Sequence, residues 1–191
     1  MFFRAPYRRF NQPEAGKNNG TIFLYGLKSV TLLHLIHTVM AEETATLIVT
    51  SSAFEHEGSI PVKYTCDGEG VNPPLHIDAV PELAKTLVII ADDPDAPGGV
   101  FDHWLVWEID PTNHTIPEDT IPGISGTNSA GKTGYHSPCP PDGQHRYFFH
   151  VFALREHLGL SAGSGRQALQ DAMKPHIIAT GNIMGVYQRN A

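Results

Sequence analysis

Residues 86–91, TLVIIA, constrain the fold more tightly than any other stretch of the chain. The run is continuously apolar, too short for a helix, and ends at the carboxylates Asp92 and Asp93, so it reads as a strand buried on both faces. Phe101–Ile109 is the clearest second strand. Strict alternation would put Phe101, His103, Leu105, Trp107 and Ile109 on one face and Asp102, Trp104, Val106 and Glu108 on the other. Arg146–Leu154 is a further strand, rich in aromatics. Ile177–Tyr187 returns to strand character, with Gly181 and Gly185 suggesting bulges or bends. Ala45–Val49 and Val62–Thr65 are shorter β-prone runs, the latter closed by the turn pair Asp67-Gly68. Ser164–Met173 is the convincing helix, with Leu169 and Met173 at i, i+4 and Pro175 ending it. Gly 18 and Pro 15 suit many short strands and many turns. The class expected is all-β: a two-sheet β-sandwich with a late helix.

The 191 residues fit one domain with some to spare at an end. Residues 1–41 differ from the rest, and the domain is expected over 42–191. Up to Ala41 the bases Arg4, Arg8, Arg9, Lys17 and Lys28 face one acid, Glu14, so the net charge of −7 arises wholly from the remainder. An acidic body without a basic stripe does not bind nucleic acid. Any anion it holds must be gripped by local donors. Thr31–Met40 is apolar but interrupted by His34 and His37. Val39 and Ala41 sit where a signal peptidase reads, which would make the protein periplasmic or secreted. With Met40 as the true initiator it would be cytoplasmic. Both readings stay open, and neither makes Thr31–Met40 a membrane span, which needs about 20 apolar residues.

Cys66 and Cys139 are too few for a disulfide scaffold and show no zinc spacing. One disulfide and two free thiols fit the sequence equally well. Three clusters could carry chemistry. Asp92-Asp93-Pro94-Asp95-Ala96-Pro97-Gly98-Gly99 holds carboxylates on a rigid corner at a strand end; the plain alternative is a solvated acidic turn. His103 lies in Phe101–Ile109, either as a satisfied core residue or beside Asp93 or Asp95 as a cationic donor. The proline-rich stretch Gly134–Tyr147 feeds into a strand, with His145 and Tyr147 on one face and Arg146 on the other, placed to pin a carboxylate. Asp93, Asp95, His103 and His145 suit a metal by type, but no helical or strand pair of ligands sits on one element, and no metal or other cofactor is expected. A general acid/base set would lack its nucleophile, since no Gly-x-Ser-x-Gly elbow occurs. A pocket in which His and Tyr donate to an anion needs neither.

Taken together these motifs resemble the phosphatidylethanolamine-binding (Raf kinase inhibitor-like) family over roughly Leu47 to Tyr187. Asp93-Pro94-Asp95-Ala96-Pro97 and Gly143-Gln144-His145-Arg146-Tyr147 are similar to its two signature segments, and His103-Trp104 to its middle histidine. Tyr64-Thr65-Cys66-Asp67-Gly68 with Pro73-Pro74-Leu75, and Gly134-Tyr135 leading to Pro138-Cys139-Pro140-Pro141, resemble the bacterial and archaeal branch. The resemblance implies a Greek-key sandwich with one or two short helices. It also implies a pocket for phosphate, phosphorylethanolamine or a carboxylate, formed by Asp93, Asp95, His103, His145 and Tyr147 and walled by Pro97 and Pro140. His136-Ser137-Pro138 departs from the family's usual glycine-rich pattern and adds a titratable group near the mouth. Some relatives carry a C-terminal helix at the pocket entrance; here a more open mouth, or one closed by the second subunit of a homodimer, is expected. The expected function is non-enzymatic binding of a small anion, with regulation or inhibition of a protein partner as a further role and no stable membrane insertion. The alternatives are a hydrolase using the His/Asp pocket, with or without a metal, and an inhibitor acting through the loop Pro111–Gly134.

Overall fold

A computed structural model describes residues 44–189. The expectations for residues 1–41 lie outside the described residues. The strands are β1 (Ala45–Thr46), β2 (Ile48–Thr50), β3 (Leu75–Asp78), β4 (Thr86–Asp93), β5 (Phe101–Ile109), β6 (Thr115–Ile116), β7 (Ile124–Ser125), β8 (Gln144–Leu154) and β9 (Ile177–Gln188). The helix α1 spans Arg166–Met173. A six-stranded sheet runs β1-β9-β8-β4-β5-β7 and a three-stranded sheet runs β2-β3-β6.

Strand β4 is buried at every residue, because both of its faces are covered. Leu87, Ile89 and Ala91 pack between the sheets with Trp104, Val106, Phe149 and Val151 of the large sheet and Val49, Ile77 and Ile116 of the small one. Val88 and Ile90 point the other way, into a second cluster with Leu105, Trp107, Leu169 and Met173. Helix α1 therefore seals the outer face of the large sheet. Eight residues do not hold a helix in water by themselves. Burial of Leu169 and Met173, at about 2 kcal/mol each, is what holds this one.

Several sequence expectations change in the structure. Ala45–Val49 is not one strand: Leu47 separates β1, parallel to β9, from β2 in the other sheet. Val62–Thr65 is a 3₁₀ turn over Val62–Tyr64, ended by extended Thr65. Gly181 and Gly185 are not bulges, since the β8–β9 register runs unbroken past both. They are points of close approach. A Cβ at Gly181 would lie 2.4 Å from the Leu47 carbonyl oxygen, and one at Gly185 would lie 2.6 Å from Ile60 Cγ1. Among the described residues no helix is long and apolar enough to cross a membrane.

The largest correction concerns β5. Ala91 opposes Trp104 while Asp92 opposes Asp102, leaving His103 as an extra residue; a second irregularity falls at Trp107-Glu108, where Glu108 has φ 58. Each bulge reverses the alternation. His103 therefore stays on the sandwich face with Phe101 and Trp104, while Leu105 and Trp107 turn to the helix side and Ile109 returns to the sandwich.

Candidate functional site

One end of the sandwich opens into a cleft of roughly 190 Å³ where β4, β5 and β8 end. The same inward alternation that builds the core supplies its polar groups. Asp93 continues the Leu87, Ile89, Ala91 row of β4. His145 and Tyr147 continue the Phe149, Val151, Ala153 row of β8. His103 shares the Phe101 face, and the bulge beside it brings Trp104 to the same side. Beyond β4 the chain turns at Pro94, and Asp93 Oδ1 accepts the Asp95 backbone N–H at 2.8 Å, which fixes the corner.

Three hydrogen bonds set the chemistry. His145 Nδ1 donates to Asp93 Oδ2 at 2.7 Å, with both side chains almost wholly buried. The carboxylate can only accept, so the proton sits on Nδ1, and Nε2, with the exposed Asp142 carboxylate 3.8 Å away, makes no hydrogen bond among the described residues. His103 Nδ1 donates to the His136 carbonyl at 2.6 Å, while the His136 N–H returns to the His103 carbonyl at 2.8 Å. Burial, partly offset by that carbonyl, holds the His103 pKa below its ordinary value. Burial and then Lys132 lower that of His136. The Tyr147 hydroxyl is buried and has no partner among the described residues. Its pKa is raised, by burial first and then by the charges of Asp93 and Asp95, so it remains a donor.

The outer wall is the segment from His136 to Pro141. Prolines 138, 140 and 141 offer no backbone donors, and the wall is tied on by other means. Cys139 is joined by a disulfide to Cys66, a sequence separation of 73. Beside it the Cys66 N–H donates to the Pro138 carbonyl at 3.0 Å, and the Tyr135 hydroxyl donates to the Tyr64 carbonyl at 3.3 Å. Phe101, Ala96 and Pro97 complete the lining. Among the described residues no lysine or arginine lines the cleft, and no group of three or more His, Cys, Asp or Glu is arranged to hold a metal ion.

Of the residues expected at the site, the structure brings together Asp93, Pro97, His103, His145 and Tyr147. It does not bring Asp95 in. Arg146, on the opposite side of β8 from its neighbours, takes both Asp95 oxygens: Nη2 to Oδ1 at 2.7 Å and Nε to Oδ2 at 2.9 Å. That pairing pulls the Asp95 pKa down to about 2. Pro140 is buried outside the lining, and Cys139 and Pro141 stand on either side of it in the wall.

Residues 50–188 match the family described as phosphatidylethanolamine-binding protein. The chain belongs to this family. A UPF0098 protein of Archaeoglobus fulgidus is 42% identical over 178 residues, which is 89% of this chain and 60% of that protein, so the match spans less than two thirds of that relative. Among solved structures, a homologue of phosphatidylethanolamine-binding protein from Chlamydia trachomatis superposes with a TM-score of 0.74 at 41% identity, over 76% of this chain and 99% of that one. E. coli YbcL, described as a member of the mammalian family, gives 0.71 at 29% identity, over 76% and 100%.

Within this family frame, sequence reasoning missed the ring of Phe101 as a lining group, because strict alternation treated its face as core. It also left the Cys66–Cys139 bond open. The signal for both was local: Phe101 stands two residues after the glycine corner, and Cys139 sits in the proline segment that needs an anchor.

Proposed function

We propose that the protein binds a small anion, phosphate or a phosphorylated or carboxylated head group, between His145 Nε2 and the Tyr147 hydroxyl. The observation that carries this reading is the Tyr147 hydroxyl. Four buried side-chain polar atoms lack a partner among the described residues, on Trp104, Trp107, Ser125 and Tyr147, and of these residues only Tyr147 borders the cleft. Leaving such a group unpaired costs about 1–3 kcal/mol, which a ligand oxygen recovers. With Nδ1 committed to Asp93, Nε2 of His145 is the ring atom that meets the ligand beside the neutral phenol. His103 and His136 supply further protonatable groups at the rim.

The size of the cleft favours a head group over a lipid chain, since sites for drug-sized molecules run to about 300–1,000 Å³. Hydrolysis is the weaker reading. Cys139 is spent in a disulfide, and among the described residues no serine, threonine or free thiol lines the cleft to act as nucleophile. Titration calorimetry of the full chain with phosphate and with phosphorylethanolamine, wild type against His145→Ala, tests the proposal. Saturable binding that disappears in the variant is expected. A wild type that takes up neither compound would sink it, as would a variant that binds as well as wild type.

A further inference from the structure

The sheet has a polar cluster on the side away from the cleft. Arg166 Nη1 donates to Asp92 Oδ2 at 2.8 Å and also to Asp102 Oδ1. His150 Nε2 lies 3.4 Å from the other Asp92 oxygen. All of these groups are at least two-thirds covered. Burial works against ionisation of Asp92, but His150 and Arg166 outweigh it and hold its pKa below the usual carboxylate value.

The position of Arg166 has no explanation in the helix it opens. A cation in the first turn of α1 sits at the positive end of the helix dipole, which disfavours it. Its partners explain it. Asp92 and Asp102 are cross-strand neighbours in the β4–β5 register, so two carboxylates stand directly opposite each other, an arrangement that pushes strands apart. Ser129 pins the Asp102 backbone from outside, through Oγ to the Asp102 N–H at 2.8 Å and N–H to its carbonyl at 2.9 Å. What remains to be set is the pairing of Asp102 with Asp92, and Arg166 bridges that pair. The residues immediately following are Asp93 and His103, on the cleft side, at the point where the register shifts. Asp93 in turn holds His145.

We infer that Arg166, across the sheet from the cleft, is a positioning residue of the anion site: by neutralising Asp92 and Asp102 it holds the bulge beside His103 and keeps Asp93 in reach of His145. The inference rests on the proposed anion reading for its functional meaning, but its geometry can be read without ligand.

The test uses the full chain. In Arg166→Gln the imidazole ¹⁵N signals of His103 and His145, recorded with no anion present, are expected to move from their wild-type values. The triple variant Asp92→Asn/Asp102→Asn/Arg166→Gln, which removes the repulsion together with the clamp, is expected to return them. Phosphate affinity should fall on the order of tenfold in Arg166→Gln and recover in the triple variant. Leu169→Ala, in the buried face of the same helix, should lower Tm while leaving the ring signals and the affinity in place. Ring signals unchanged in Arg166→Gln would overturn the inference, and so would a triple variant that fails to restore them. Moved and restored signals in a protein that takes up no phosphate would uphold the positioning role and refute the anion reading instead. If Arg166→Gln does not fold, the triple variant, freed of the like charges, is read alone: wild-type ring signals there support the inference and moved signals overturn it.

Discussion

Asp92 and Asp93 are neighbours in sequence and face opposite sides of one sheet, and the two sides treat polar groups differently. On the helix side both strand-end carboxylates are answered: Asp92 by Arg166 and His150, Asp102 by Arg166. On the cleft side the accounts are left open. His145 uses one nitrogen on Asp93 and has only the exposed Asp142 carboxylate, 3.8 Å away, near the other, and the Tyr147 hydroxyl has no partner among the described residues. A buried polar group that is satisfied stabilises the fold or leaves it neutral, whereas one left unsatisfied costs stability. The contrast separates structure from function within a few ångströms: the closed network sets where the strands lie, and the open one waits for a ligand.

The largest effect is expected where the open side is tied to the rest of the molecule. The Cys66–Cys139 bond closes a sequence separation of 73, and losing it in Cys66→Ser/Cys139→Ser should cost about 4 kcal/mol by the chain-entropy relation. Chemical denaturation of the double variant measures this. Because Cys139 lines the cleft, phosphate affinity should fall as well. An unchanged affinity in a destabilised protein would show that hydrogen bonds alone hold the proline wall.

Tyr147→Phe sharpens the contrast because its two effects have opposite signs. Removing an unpartnered buried hydroxyl should raise stability by about 1 kcal/mol, while phosphate binding weakens by about tenfold, the worth of one good hydrogen bond. On the closed side no substitution should behave this way. A Tyr147→Phe protein that is less stable and binds normally would place that hydroxyl among the structural groups.

How much of this could be read beforehand follows from where period-two alternation holds. Strand β4 and the inward row of β8 obey it, and Asp93, His145 and Tyr147 were legible there. Strand β5 breaks it twice, so the bounds Phe101–Ile109 were readable but the faces of Leu105 and Trp107 were not. A bulge is decided by what lies across the strand, here Ala91 and Asp92, and not by the bulged residue itself. Asp95 was grouped with Asp93 because both stand in one short motif. The structure divides them by giving Asp95 to the neighbour of His145. Arg166 was invisible as a site group, since a base at the start of a helix carries no mark of two carboxylates 64 and 74 positions earlier.

Acidification probes the open side with a smaller effect. His103 and His136 are held below their ordinary pKa of 6.5, chiefly by burial. A bound dianion favours their protonated forms, so anion binding takes up protons and should tighten as pH falls below about 6.5, by less than about tenfold per unit for one linked proton. Sulfate is the probe to use, because its own charge does not change in this range. The fold pulls the other way. The lowered His103 pKa contributes stability that is complete above 6.5 and is lost as pH falls through the folded value, so sulfate should protect most against unfolding in acid. Affinity that is flat from pH 8 to pH 5 would mean that neither rim histidine meets the anion.

The smallest effect should come from Asp95→Asn, and it tests the comparison at its narrowest point. Asp93 and Asp95 are two residues apart, His145 and Arg146 are adjacent, and the pairs they form differ in exposure: 5% and 6% for Asp93 and His145, against 29% and 52% for Asp95 and Arg146. An ion pair so well screened contributes less than about 1 kcal/mol, even when bidentate. Its contribution is present above the ordinary Asp pKa of 3.8 and is lost as pH falls toward about 2. The substitution also spares the backbone bond from the Asp95 N–H to Asp93 Oδ1, so the corner and the His145 orientation should survive. Phosphate affinity within about twofold of wild type is therefore expected. A tenfold loss would mean that Asp95 reaches the ligand after all, and that the line between the satisfied and the waiting carboxylate runs somewhere other than between these two residues.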